Sequence, residues 1–177
     1  MRCRTLSSST IYEDPWTRVV RDDVRWDNGH EGQYTVVVKP PGISVIALTA
    51  AGTVILTREF RYALGDYSVE AVSGAIEPGE QPIAAAQREL IEEIGLKAEK
   101  MTPLGLVHPF TAGVSSPSHL FLAEGLSPAT SNPDPGEDIE PVEMSLSDAV
   151  AEVVAARIVH APTCVSILLV ERYLAAR

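Results

Sequence analysis

The chain has 177 residues, 45% of them hydrophobic, and a formal net charge of −10; that length suits one domain with a real core and a short extra element at one end. With 14 basic against 24 acidic residues and no basic block, the balance argues against binding nucleic acid through its phosphate backbone. Cys3 and Cys164 are too few and too far apart for a disulfide framework or a zinc site, no apolar run approaches a membrane span, and Arg2 and Arg4 are followed by no signal-like apolar stretch; a cytoplasmic protein with no membrane partner is expected.

In chain order, the first ten residues, rich in Ser and Thr, read as a loose end or a short edge strand. Thr17–Arg25 alternates weakly and Gln33–Lys39 more strongly (Tyr34, Val36, Val38), with Asp27-Asn28-Gly29 between them as a hairpin turn. After the break at Pro40-Pro41-Gly42, Ile43–Leu48, Thr53–Arg58 and Tyr67–Val72 are rich in β-formers. A helix is expected after Pro82, with Gly95 as its C-cap. Strands follow at Thr102–Val107 and His119–Ala123, then a loop over Ser127–Pro141, which carries four prolines. Helices are expected at Leu146–Ile158 and Cys164–Ala176. Strands on both sides of one central helix, with helices at the end, suggest a layered α/β domain.

The densest chemistry lies between Gly74 and Leu96, GAIEPGEQPIAAAQRELIEEIGL. Glu89, Glu92 and Glu93 stand at i, i+3 and i+4, so a helix brings Glu89 close to both others, each like-charge pair opposing the fold by roughly 0.2–0.5 kcal/mol. Arg88 alone lies among them, one residue before Glu89 and eight after Glu80, placed to reach back and brace a loop carboxylate. An isolated ELIEE segment would read as a solvated helix face; the glycines, Glu80 and Arg88 fixed around it argue for a built site. Carboxylate oxygens completed by a backbone carbonyl and water suit Mg²⁺ or Mn²⁺, and no matching His or Cys cluster points to zinc.

The segment resembles the signature of the Nudix hydrolases: Gly74, Glu80, Arg88, Glu89, Leu90, Glu92, Glu93, Gly95 and Leu96 fill every specified position. The resemblance implies an α/β/α sandwich around a mixed β-sheet (the Nudix fold) with an N-terminal β-hairpin extension, divided as 1–40 for a dimerising strand region and 41–177 for the hydrolase domain. It implies Glu89, Glu92 and Glu93 as ligands of Mg²⁺, with Mn²⁺ as the alternative, completed by the carbonyl of Ser73, and Glu80–Arg88 as a structural ion pair. The run from Leu56 to Glu80 is similar to the ADP-ribose pyrophosphatase and nucleotide-sugar hydrolase branch, which implies substrate contacts from Arg58, Arg61 and Glu70.

The activity so implied is hydrolysis of the pyrophosphate bond of a nucleoside diphosphate sugar, with ADP-ribose first, giving AMP and ribose 5-phosphate. Glu92 and Glu93 take catalytic roles through the cations they hold, and Glu137 is the first choice of general base among Asp134, Glu137, Asp138 and Glu140. Tyr12, Trp16, Trp26, Tyr34 and Tyr62 are candidate stacking groups, and His108 and His119 read as structural. The branch implies a homodimer whose N-terminal strands cross between subunits. One departure stands out: Ser116 occupies a position where relatives carry an acidic residue, which favours a different second group, such as a GDP- or UDP-sugar or a dinucleotide. A non-catalytic nucleotide-sugar binding module is the alternative from another class, and a metal buffer or purely structural protein a third.

Overall fold

The computed structural model describes residues 2–130 and 138–177. In chain order its elements are β1 (Cys3–Glu13), β2 (Arg18–Trp26), β3 (Glu31–Val38), β4 (Gly42–Leu48), β5 (Thr53–Arg61), β6 (Asp66–Glu70) and β7 (Val72–Ala75). Then come α1 (Pro82–Ile94), β8 (Leu96–Val107), β9 (Val114–Ser115), β10 (Ser118–Pro128), β11 (Glu140–Ser145), α2 (Leu146–Val154) and α3 (Ala161–Ala175). The chain divides into two compact units, 1–41 with 108–117, and 42–107 with 118–177.

The first unit is a four-stranded sheet in the order β1-β2-β3-β9, antiparallel except for the β3–β9 pair. The turn between β2 and β3 closes as its sequence requires: Gly29 takes φ 84°, its N–H donates to the Trp26 carbonyl, and the Asn28 side chain accepts from His30 N. The N-terminus is neither loose nor short. β1 runs eleven residues along the sheet edge, every one exposed, with two register shifts that let it follow the twist of β2.

The second unit is a mixed seven-stranded sheet following β11-β5-β4-β10-β8, with β6 on β5 and β7 on β4. β10 lies parallel to β4 and antiparallel to β8. The two-residue period of β4 splits its side chains between two cores. Ile43, Val45 and Ala47 pack with Ala85, Ala86 and Leu90 of α1, whereas Ile46 packs with Ile167 and Val170 of α3 and Ala149 of α2. The sheet is therefore covered on both faces, the expected α/β/α layering.

Several boundaries differ from the sequence reading. The single strand expected at Tyr67–Val72 is two: β6 pairs with β5 through Glu70, and β7 pairs with β4 from Val72, with Ala71 between them. β8 begins directly after Gly95 and not at Thr102, because its first residues pair with Leu126–Pro128 of β10. The expected loop is strand at both ends, Ser127 and Pro128 closing β10 and Glu140 and Pro141 opening β11. α2 stops at Val154, short of Ile158, and the chain reverses through Ala156 at φ 54°. α3 starts three residues before Cys164, since Pro162 sits in the first turn, where its missing N–H costs nothing.

Candidate active site

The site lies within the second unit, where β7, the loop after it and α1 meet. Pro82 at the first position of α1 suits a helix start, and Gly95 ends the helix in the left-handed region at φ 65°, its N–H returning to Ile91 O. The N-cap residue, Gln81, makes no side-chain cap. Glu80 does other work: it accepts from Glu77 N at 3.0 Å and takes the Arg88 guanidinium through both oxygens, at 3.1 and 3.0 Å. The expected Glu80–Arg88 pair is present, and it is one arm of a wider hub. Arg88 also donates to Glu89 at 2.7 Å, to Glu92 at 2.9 Å and to the Ala75 carbonyl at 3.0 Å. These bonds, Glu80's above all, raise the Arg88 pKa far above its ordinary value, and Arg88 in turn holds the Glu80 carboxyl below its own.

Gly74 shows why the loop starts with glycine. A Cβ there would lie 1.9 Å from Glu89 Oε1 and 2.1 Å from its Cδ, so the Glu89 carboxylate occupies the space any side chain would fill. One residue earlier, Ser73 N donates to Glu93 Oε1 at 3.3 Å. The α1 face thus sets Glu89 and Glu93 against two consecutive residues of β7, and Arg88 ties Glu92 to Glu89. Among the described residues, no three His, Cys, Asp or Glu side chains form a ready cation cage. The donors nevertheless fit a hard divalent ion: they are oxygens alone, on an edge where backbone approaches closely. Mg²⁺ in particular is commonly held by one or two carboxylates, water and substrate phosphate, with no closed protein cage.

The arginines before the loop are placed differently from one another. Arg61 grips Glu70 with two bonds, 3.2 Å from Nε and 2.7 Å from Nη2, and pairs through Nη1 with Glu59 at 2.6 Å. Burial pushes the Glu70 carboxyl up, but its hydrogen bonds and the nearby positive charge bring the net pKa below the ordinary value. Against the cost of burial, the negative charges of Glu70, Glu59 and Glu93 favour the charged form of Arg61. Arg58 stacks on the Tyr67 ring, 3.8 Å from its centroid, and pairs with Glu140 at 3.2 Å. Glu140 is thereby an ion-pair partner on β11, directly opposite Arg58 in register. Glu137, with Asp134, lies outside the described residues.

Two models of known families match this chain: the NUDIX domain over residues 38–162, and the nucleoside diphosphate sugar hydrolase N-terminal domain over residues 4–37. The chain belongs to the Nudix hydrolase family. An ADP-ribose pyrophosphatase of Bacillus subtilis (strain 168) is 31% identical over 166 residues, 93% of this Nudix chain and 90% of the relative. A methanol dehydrogenase activator of Bacillus methanolicus is 28% identical over the same shares. The crystal structure of an ADP compounds hydrolase has the same fold, with a TM-score of 0.86, 24% identity, and coverage of 99% of this chain and 96% of that one.

Sequence reasoning assigned no role to two residues of this Nudix site's surroundings, His160 and Thr163 at the start of α3. His160 Nδ1 lies 2.9 Å from Thr163 Oγ1 and 3.4 Å from Glu70 Oε2, and Thr163 Oγ1 accepts from Ala71 N at 2.8 Å. The Ala-Pro-Thr run at 161–163 is similar to the ADP-ribose pyrophosphatase branch, but its distance from Glu70, 90 residues back from His160, hides what it holds. Of the aromatic candidates, Tyr62 is 93% and Trp16 69% exposed, while Tyr34 donates its hydroxyl to the Ala112 carbonyl at 2.8 Å within its own unit. No described helix is long and apolar enough to cross a membrane.

Proposed function

We propose that this Nudix enzyme hydrolyses the pyrophosphate bond of nucleoside diphosphate sugars in a Mg²⁺-dependent reaction, with ADP-ribose as first substrate and AMP and ribose 5-phosphate as products. The observation that carries it is the packing of Glu89 into the space over Gly74, with Glu93 on Ser73 N, which spends a glycine to bring two carboxylates against one strand. The name of the Bacillus subtilis relative supports the choice of ADP-ribose.

In this reading Glu89 and Glu93 with the Ser73 carbonyl hold the cation, and Glu92 is a further ligand or a partner to one. Bound there, Mg²⁺ or Mn²⁺ supplies charge neutralisation at the phosphoryl oxygens and lowers the pKa of water. Arg88 aims Glu89 and Glu92 through its hydrogen bonds to both. Arg58 and Arg61 bring positive charge for the diphosphate, and Glu70 aims Arg61. Water oxygen bonds to one phosphorus, the bridging P–O bond breaks, and a carboxylate takes the proton of water, with Glu137 the first choice of base. A cytoplasmic homodimer, formed through the N-terminal strands 1–40 ahead of a catalytic domain 41–177, belongs to the same reading and is checked by light scattering in solution.

Ser116 favours a second reading, in which another nucleoside diphosphate derivative is the main substrate. A panel of ADP-ribose, GDP- and UDP-sugars and dinucleotides, assayed with Mg²⁺ for released mononucleotide, decides between them. Higher kcat/KM for ADP-ribose than for the others supports the first reading; preference for another compound selects the second. Binding without product from any of them would indicate a non-catalytic module.

A further inference from the structure

We infer that Thr163 and His160, in the first turn of α3, are positioning residues that fix the β6–β7 junction and the Glu70–Arg61 pair beneath the carboxylate site. The inference rests on reading Ser73, Glu89 and Glu93 as the cation-holding face. At Ala71 the chain passes from pairing with β5 to pairing with β4, so its amide belongs to neither ladder, yet Ala71 is fully buried. A buried N–H without an acceptor costs as much as a lost hydrogen bond. Thr163 Oγ1, also fully buried and 92 residues away, supplies the acceptor at 2.8 Å.

The Thr163 oxygen receives from Ala71, so its own hydrogen is free to point at His160 Nδ1, 2.9 Å away. Either the Thr163 hydroxyl or the His160 Nδ1–H is the donor in that contact, and in both cases the ring is tied to the oxygen that holds Ala71. His160 Nδ1 also stands 3.4 Å from Glu70 Oε2, the same carboxylate oxygen that takes Arg61 Nη2 at 2.7 Å. His160 is the N-cap residue of α3 but makes no cap with its side chain; the ring is turned to Thr163 and Glu70. Two residues past Ala71 is Ser73, whose amide is held by Glu93. The α3 start therefore holds the chain at Ala71 just as α1 holds it at Ser73, and His160 ties the Glu70–Arg61 pair to the same helix start.

Two variant pairs test this. Thr163→Val keeps the shape but removes the acceptor, and Thr163→Ser restores it; His160→Leu removes the ring nitrogen, and His160→Asn restores a hydrogen-bonding group near the Nδ1 position. In the metal-free protein, amide hydrogen exchange at Ala71, measured relative to core amides such as Leu122, is expected to speed up by about tenfold or more in Thr163→Val and to stay near wild type in Thr163→Ser. Mn²⁺ affinity without nucleotide, read by electron paramagnetic resonance, should fall about tenfold in His160→Leu and recover in His160→Asn, and kcat for ADP-ribose should follow the same order. Should Thr163→Val not fold, the His160 pair decides alone. Unchanged relative exchange at Ala71 in Thr163→Val, or wild-type Mn²⁺ affinity and kcat in His160→Leu whatever its melting temperature, overturns the inference. If wild type turns over no nucleotide, the functional reading fails, while the exchange and Mn²⁺ measurements still decide this one.

Discussion

Gly74→Ala separates the stability of the fold from the geometry of the site. Gly74 is extended strand with no positive φ, so the backbone accepts alanine, and loss of unfolded-state freedom favours the variant by about 0.4–1 kcal/mol. Against that, the new Cβ would stand 1.9 Å from Glu89 Oε1, where ordinary contact begins near 3.4 Å. The carboxylate must retreat by about 1.5 Å, the difference between those two distances. Glu89 is the flexible partner, so it moves and the strand stays. The movement loosens its charge-assisted bond to Arg88, worth about 1.5–3 kcal/mol. The net destabilisation is about 1–2 kcal/mol, a fall in melting temperature of about 2–8 °C for a chain of this size. A 1 Å misplacement of a catalytic group costs on the order of 100-fold, so kcat should drop by at least that much. Calorimetry and steady-state release of AMP from ADP-ribose measure the two effects. Wild-type turnover in Gly74→Ala, or a fold too unstable to assay, would refute the reasoning.

Three further outcomes follow. Arg88→Ala leaves Glu80, Glu89 and Glu92 without their shared guanidinium, so its melting temperature in EDTA should fall by about 3–10 °C, and Mg²⁺ should restore more stability to it than to wild type. Glu124 is held by Arg177 and, at 3.0 Å, by Lys100, which brings its pKa from 4.5 to about 2. Its contribution to stability is complete above pH 4.5 and lost as pH falls toward 2, so wild type should lose melting temperature faster than Glu124→Gln across that window. Ala156→Gly removes a side chain from φ 54°, where L-residues are disfavoured by about 1–2 kcal/mol, and should raise the melting temperature by about 2 °C; a fall would show that Ala156 is not strained.

What was legible in the sequence was the part whose chemistry is local. Gly74, Glu80, Arg88 and the three helical glutamates lie within 20 residues, and helix periodicity plus one turn of loop is enough to bring them together. Gly95 ends α1 because glycine tolerates the left-handed conformation, which is also why that end could be read in advance. Ala156 makes the same kind of reversal without glycine, so the end of α2 carried no signal. β11 was hidden because its strand character comes from pairing with β5: Glu140 and Pro141 look like loop until Arg58 and Thr57 stand opposite them. The roles of His160 and Thr163 were hidden for a stronger version of the same reason. Their meaning depends on an amide at Ala71 that falls between two ladders, a fact of sheet topology that no spacing along the chain records.

Whether this chain cleaves the diphosphate of ADP-ribose through its helical carboxylates can be read by ³¹P nuclear magnetic resonance in the presence of Mg²⁺, comparing wild type with Glu93→Gln. Wild type is expected to replace the diphosphate signals with those of AMP and ribose 5-phosphate, and Glu93→Gln to stay folded with turnover reduced at least about 100-fold. Persistence of the diphosphate with wild type, or equal turnover by Glu93→Gln, would contradict the proposed function.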